Sequence, residues 1–172
     1  MNKVTARSPK LKISEIFLSI QGESTLSGLP FIFVRLAECN LRCSWCDTRY
    51  AYQAKREMTL DAILKALAPY QPIRHVLITG GEPLCQRTAV IALMKSLVKT
   101  GYAVSLETNG SLPVKGVPVK VKVIMDLKPP SSGEVNQNLY ANLRELKQPH
   151  LVRQRRQVPS PRWKPAQPSA LP

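Results

Sequence analysis

Three cysteines fall within eight residues, Cys39-Asn40-Leu41-Arg42-Cys43-Ser44-Trp45-Cys46, and a fourth, Cys85, stands well downstream. The chain starts Met1-Asn2-Lys3-Val4 with no apolar leader, so a cytoplasmic address is expected, and there disulfides are rare. A closed structural zinc site takes four ligands, usually as two pairs, one more than this loop offers. Three thiolates suit a 4Fe–4S cube that leaves one iron open to a reacting ligand. The alternatives at this point are a zinc site that recruits Cys85 or His75, and three cysteines with no shared role.

Other residues of the ligand-binding kind sit at the ends of apolar runs. Thr79-Gly80-Gly81-Glu82-Pro83 follows one, and glycines at such a turn let backbone approach a ligand with no Cβ in the way. Glu107-Thr108-Asn109-Gly110 closes another, where Asn-Gly by itself marks a turn. Arg35 interrupts the run Phe33-Val34-Arg35-Leu36, and a guanidinium there needs an anionic or acceptor partner. Cys85, just past the Gly-Gly turn, is expected to be a small buried or capping residue.

The elements that must position these groups alternate. Strands are expected over 13–20, 31–37, 75–79, 102–106 and 117–127. Between them lie a helix over 60–67, with Thr59 as its N-cap, and one marked by Val90, Ile91, Met94, Leu97 and Val98, closed by Gly101. A short helix is expected over 138–146. Strands separated by helices of about ten residues mean βαβ units and a mostly parallel α/β sheet. Its ligand edge is the C-terminal end of the strands, which is where Glu107 and Thr108 then stand.

Together the motifs resemble a known family. C-x3-C-x2-C with an aromatic before the last cysteine resembles the signature of the radical S-adenosylmethionine (SAM) superfamily. Ile20-Gln21-Gly22-Glu23 precedes the cysteines, and Trp45-Cys46-Asp47-Thr48 leaves them. The Thr79–Pro83 motif and Leu127-Lys128-Pro129-Pro130-Ser131-Ser132-Gly133 follow. In that order they resemble the 7-carboxy-7-deazaguanine synthases of 7-deazapurine (queuosine) biosynthesis. The resemblance implies a radical SAM (β/α) barrel, C-terminally shortened here. It implies a lyase that turns 6-carboxy-5,6,7,8-tetrahydropterin into 7-carboxy-7-deazaguanine with loss of ammonia. It implies a 4Fe–4S cluster on Cys39, Cys43 and Cys46, SAM, and a magnesium ion with Thr48 as ligand. SAM contacts fall on Trp45, Cys46, Asp47, Gly81, Glu82, Glu107, Asp126, Leu127 and Lys128. Pterin contacts fall on Ile20, Gln21, Gly22, Glu23, Arg35 and Thr79. An electron donor such as a flavodoxin or ferredoxin and a homodimer are also implied.

Two positions depart from the family pattern: Ser24 and Glu38 stand where glycines are usual. If those glycines held positive φ, the replacements are strained. Glu38 also sets a carboxylate beside the cluster, which would lower its reduction potential.

The chain reads as a core over 1–148 and a basic, Pro-rich tail over 149–172. The tail holds six of the fifteen prolines and five of the net +14 charges, with no acidic residue. It is expected to be disordered, and its composition reads as a change of reading frame or a degenerate terminus more than as an evolved arm. The remaining +9 suits ligands that carry carboxylates, so nucleic acid is not the expected partner. No run approaches the ~20 apolar residues of a membrane span. The alternatives carried forward are a radical SAM activase and an inactive scaffold whose basic tail binds RNA or a partner.

Overall fold

The computed structural model describes residues 9–145 and 151–154. In chain order the elements are β1 (Lys10–Ile20), β2 (Pro30–Leu36), β3 (Arg56–Thr59), α1 (Leu60–Leu67), β4 (His75–Gly80), α2 (Arg87–Lys99), β5 (Ala103–Thr108), β6 (Lys122–Leu127), α3 (Asn142–Glu145) and β7 (Leu151–Gln154). One seven-stranded sheet runs β3-β1-β2-β4-β5-β6-β7. β1 is antiparallel to both its neighbours, and β2 through β7 are parallel. This is the mostly parallel α/β sheet that the alternation of elements predicts.

Alternation along each strand divides the chemistry between two faces. Ile32, Val34 and Leu36 of β2, Val76 and Ile78 of β4, and Val104 and Leu106 of β5 share a buried core with Ile63 and Leu67 of α1 and Leu93, Met94 and Leu97 of α2. The intervening residues Phe31, Phe33 and Arg35, Leu77 and Thr79, and Glu107 take the other face. There Phe31, Leu77 and Ile124 form a small second cluster. The helix stripe is what the spacing predicts, and Thr59 does cap α1: its Oγ1 accepts from the Ala62 amide at 3.2 Å.

A β-bulge in β1 serves the second face. Ile13 pairs with Leu36 but Glu15 pairs with Arg35, so Ser14 is the extra residue. Before the bulge, Leu11 and Ile13 face the helices; after it, Glu15 and Phe17 face away from them. One inserted residue therefore turns Glu15 toward Arg35.

Three sequence expectations change, and one strand was not anticipated. The strand expected over 117–127 begins only at Lys122, because Pro118 lacks an N–H and Val117 and Val121 are tied into turns by Val114 O and Pro118 O. The helix expected over 138–146 shrinks to Asn142–Glu145. The Asn142 amide is drawn into bonds with Val114 N, Gly110 O and Leu112 O instead. β3, a short charged edge strand, had no sequence signal. Of the segment expected to be a disordered tail, only Leu151–Gln154 lies among the described residues, and it pairs parallel to β6. The other tail residues, and any RNA-binding arm there, lie outside them. No helix among the described residues is long and apolar enough to cross a membrane.

Candidate active site

A cavity of about 380 Å³ opens at the C-terminal ends of the parallel strands. Four parallel strands, β2, β4, β5 and β6, deliver side chains to it. Arg35 comes from β2 and the cysteine loop follows that strand; Thr79 and the Gly80-Gly81 turn end β4; Glu107 to Asn109 end β5; Asp126 and Lys128 end β6. β1 closes one side with Ile20 to Glu23. Cys39, Cys43 and Cys46 all line it, with Trp45, Asp47 and Thr48.

Of the residues expected to form the site, only Glu82 and Leu127 stay off the wall. Leu127 ends β6 beside it. Glu82 is fully buried beneath. Its carboxylate accepts from Leu84 N at 2.9 Å, from Thr108 Oγ1 at 2.9 and 3.0 Å, and from Asn109 N at 2.8 Å. Burial pushes its pKa up, and the donors from Asn109, Leu84 and Thr108 pull it back. This acid ties β4's turn to the end of β5 instead of offering itself to a ligand. The wall also includes Phe17, Phe33, Leu41 and Tyr52, which the sequence did not mark, together with Thr108 and Asn109 of the β5 end. Alternation in β1 and β2 was the available signal for the two phenylalanines, whose rings stack at 5.0 Å.

The polar wall is prearranged. Arg35 Nε donates to Glu15 Oε1 at 2.7 Å, and Tyr50 OH donates to the same oxygen at 2.8 Å. Burial raises the Glu15 pKa, but the bonds from Tyr50 and Arg35 outweigh it and hold the carboxyl below its usual range. Glu15 engages one of the five guanidinium N–H donors, so Arg35 can still bind a second acceptor. Thr79 Oγ1 donates to Glu107 Oε2 at 3.0 Å. Lys128 Nζ, with its side chain 11% exposed, pairs with Asp126 at 2.9 Å and lies 5.6 Å from the Trp45 ring centroid. Asn138 clamps the Lys128 backbone at both N and O, 2.8 Å each. Gln21 is buried and folds its Oε1 back on Glu23 N at 3.2 Å. Thr48 precedes a short turn without capping it; its hydroxyl donates to Asp47 Oδ1 at 2.7 Å.

The cysteine loop is fixed by the backbone around Glu38, whose N donates to Ala51 O and whose O accepts from Glu82 N at 2.8 Å. Both unusual residues stand in the left-handed region, Ser24 at φ 69° and Glu38 at φ 70°. The Glu38 carboxylate does not stand alone beside the cysteines, since Lys12 Nζ lies 2.6 Å from it. That pair is half exposed and adds little to stability. Glu38→Gly should therefore be more stable than Glu38→Ala by about 1 kcal/mol in urea unfolding, because both lose the pair and only glycine relieves the backbone. Equal midpoints would show that position 38 is unstrained.

The donor set fits a cluster. Burial pushes the Cys39 and Cys43 thiols up, so in the bare loop they favour the protonated form that bound iron displaces. Among the described residues no three His, Cys, Asp or Glu side chains converge as ligands of a single metal ion. A cube, with one thiolate per iron, asks for a wider ring. The recruits of the zinc alternative lie elsewhere. His75 packs at a tilt against Phe31 at the opposite end of β4. Cys85, expected to be buried or capping, is exposed and does not line the cavity. The turn Pro83–Gln86 buries Leu84 and turns the next residue outward. Trp45 lines the cavity, and its buried indole N–H has no hydrogen-bond partner among the described residues.

A model of the radical SAM superfamily matches residues 34–131, which span the cysteine loop, the Gly-Gly-Glu turn and the ends of β5 and β6. The chain belongs to the radical SAM superfamily. Membership in this superfamily implies a 4Fe–4S cluster and SAM. Curated relatives named 7-carboxy-7-deazaguanine synthase include proteins of Methanospirillum hungatei JF-1, 46% identical over 140 residues (81% of this chain, 59% of the relative), and Koribacter versatilis Ellin345, 47% identical over 124 residues (72% and 55%). A third, from Thermoplasma acidophilum, is 42% identical over 137 residues (78% and 65%). This radical SAM chain thus spans 55–65% of the length of these relatives. Its fold is similar to the crystal structure of QueE from Escherichia coli, with a TM-score of 0.65 at 23% identity over 84% of this chain and 83% of that one.

Proposed function

We propose that the chain is a radical SAM lyase that converts 6-carboxy-5,6,7,8-tetrahydropterin to 7-carboxy-7-deazaguanine with loss of ammonia. The observation that carries the reading is one cavity. It is lined by the three cysteines, the Gly-Gly turn and a half-buried arginine that keeps spare donors. The relatives' names give the substrate.

In this reading Cys39, Cys43 and Cys46 hold the cluster. Bound there, cluster and SAM supply a carbon radical able to take hydrogen from C6 of the pterin. Trp45, Cys46, Asp47, Gly81, Glu107, Asp126 and Lys128 form the SAM side. Asp126 keeps Lys128 from presenting a bare charge to the cationic sulfonium. Glu82, buried and fully engaged, shapes this side without touching it. Ile20 to Glu23 and Thr79 hold the pterin, and Arg35 takes its carboxylate with donors that Glu15 leaves over. Thr48, with Asp47 beside it, offers hard oxygen to a magnesium ion. A flavodoxin or ferredoxin as electron donor and a homodimer belong to the same proposal. Exposed Leu18 and Leu29 are apolar surface that a second copy could cover.

Anaerobic reconstitution tests it. The wild-type chain should take up about four irons and form 7-carboxy-7-deazaguanine from the carboxypterin with SAM and a reductant. Cys43→Ala should hold no cluster and form no product. Unchanged turnover by Cys43→Ala would sink the proposal. Reductive SAM cleavage without conversion of the pterin would keep the superfamily chemistry and reject this substrate.

A further inference from the structure

Asn109 ends β5 in a closed ring of side-chain hydrogen bonds. Its Oδ1 accepts from Ser111 N at 2.9 Å and from Ser111 Oγ at 2.6 Å. Its Nδ2 donates to Asn40 Oδ1 at 3.2 Å, and Asn40 Nδ2 in turn donates to Ser111 Oγ at 2.8 Å. The Ser111 backbone N–H can only donate, so this ring admits one orientation of the Asn109 amide. One N–H of the amide goes to Asn40. The other is aimed at Cys39 Sγ, 3.8 Å away. The residue is 7% exposed and its backbone N is held by buried Glu82. Leu41 N reaches the same sulfur at 3.4 Å.

We infer that Asn109 is a positioning residue for the cluster, donating an N–H···S hydrogen bond to Cys39 that raises the cluster's reduction potential. The inference rests on Cys39 being a cluster ligand. A hydrogen bond to a ligating thiolate withdraws electron density from it and stabilises the reduced state, the more negative one. Turn formation alone does not explain the residue. An Asx turn needs only the acceptor oxygen, which aspartate supplies equally and serine more weakly. The donor side, aimed at sulfur, is what asparagine adds.

Two variants separate the roles. Asn109→Ser keeps a short neutral acceptor for Ser111 N and is too short to reach Cys39. Asn109→Asp keeps the size and the turn but replaces the donor with negative charge. The full-length chain and both variants are reconstituted anaerobically, analysed for iron and sulfide, and titrated potentiometrically with the reduced cluster followed by electron paramagnetic resonance. At equal iron content, Asn109→Ser should lose about tenfold in the reduction equilibrium constant, a midpoint about 59 mV lower for one electron. Asn109→Asp should fall further. A loaded Asn109→Ser protein with the wild-type midpoint overturns the inference, whatever the aspartate does. Failure of both variants to hold the cluster also overturns it, and assigns Asn109 to assembly. A wild-type chain that takes up no iron refutes the cluster reading itself, a separate result.

Discussion

Gly81→Ala is expected to destabilise the fold by about 4 kcal/mol and to leave the cysteine loop unable to take up a cluster. A Cβ at position 81 would sit 2.2 Å from Glu38 O, 2.7 Å from Glu38 C and 2.9 Å from Cys39 Cβ. None of these is the free end of a flexible side chain, so the backbone itself must part. Overpacking of this kind costs about 1–3 kcal/mol. Two hydrogen bonds cross the seam that would open, Gly81 N to Leu36 O at 3.2 Å and Glu82 N to Glu38 O at 2.8 Å. Losing each adds about 1 kcal/mol. For a chain of this size the melting temperature should fall by about 10 °C. The moved atoms carry Cys39, so iron content should fall with it. Gly22→Ala is the control, because a Cβ there meets nothing within 4 Å. It should melt like the wild type. Gly81→Ala with unchanged melting and unchanged iron would show that the seam gives way freely.

That seam also shows where reading from sequence stopped. The Gly-Gly pair was legible as a close approach of backbone, but the expected neighbour was a ligand. The missing Cβ of Gly81 faces the cysteine loop, a contact between segments some forty residues apart that no local pattern encodes. The parallel sheet, α1 with its Thr59 cap, and α2 were legible because each buries one face, and burial leaves a period. The site was legible because its motifs fall at the C-terminal ends of strands, and a parallel sheet brings those ends together. The bulge at Ser14 was not, since a register shift exists only relative to a partner strand. Glu82 was read as a SAM contact, and in the fold its carboxylate accepts from Leu84 N, Thr108 Oγ1 and Asn109 N. Sequence shows an acid after two glycines, not whether it turns toward the cavity or beneath it. Asn109 was read as half of an Asn-Gly turn, which it is; its donor toward Cys39 depends on Ser111 and Asn40 fixing the amide.

Glu82→Gln should cost about 3 kcal/mol, although it changes one atom and preserves shape. Every contact to this carboxylate is a donor: Leu84 N and Thr108 Oγ1 at Oε1, and Thr108 Oγ1 and Asn109 N at Oε2. A glutamine amide must point its NH2 at one of two backbone N–H groups. Neither can rotate away, and neither reaches water in a site where Glu82 is 0% exposed. Thr108→Val removes only the hydroxyl, which also accepts from Gly110 N at 3.3 Å, and should cost about 1–2 kcal/mol. The two changes should not add, since both dismantle one junction, and a double-mutant cycle in urea should return a coupling of about 1 kcal/mol or more. The consequence reaches past stability. Glu82 holds Asn109 by its backbone, and Asn109 holds its amide toward Cys39, so Glu82→Gln should also lower the cluster midpoint in whatever fraction folds. A variant that loses stability but keeps the wild-type potential would cut that chain between Glu82 and Asn109, and leave the buried acid as a fastener for the fold alone.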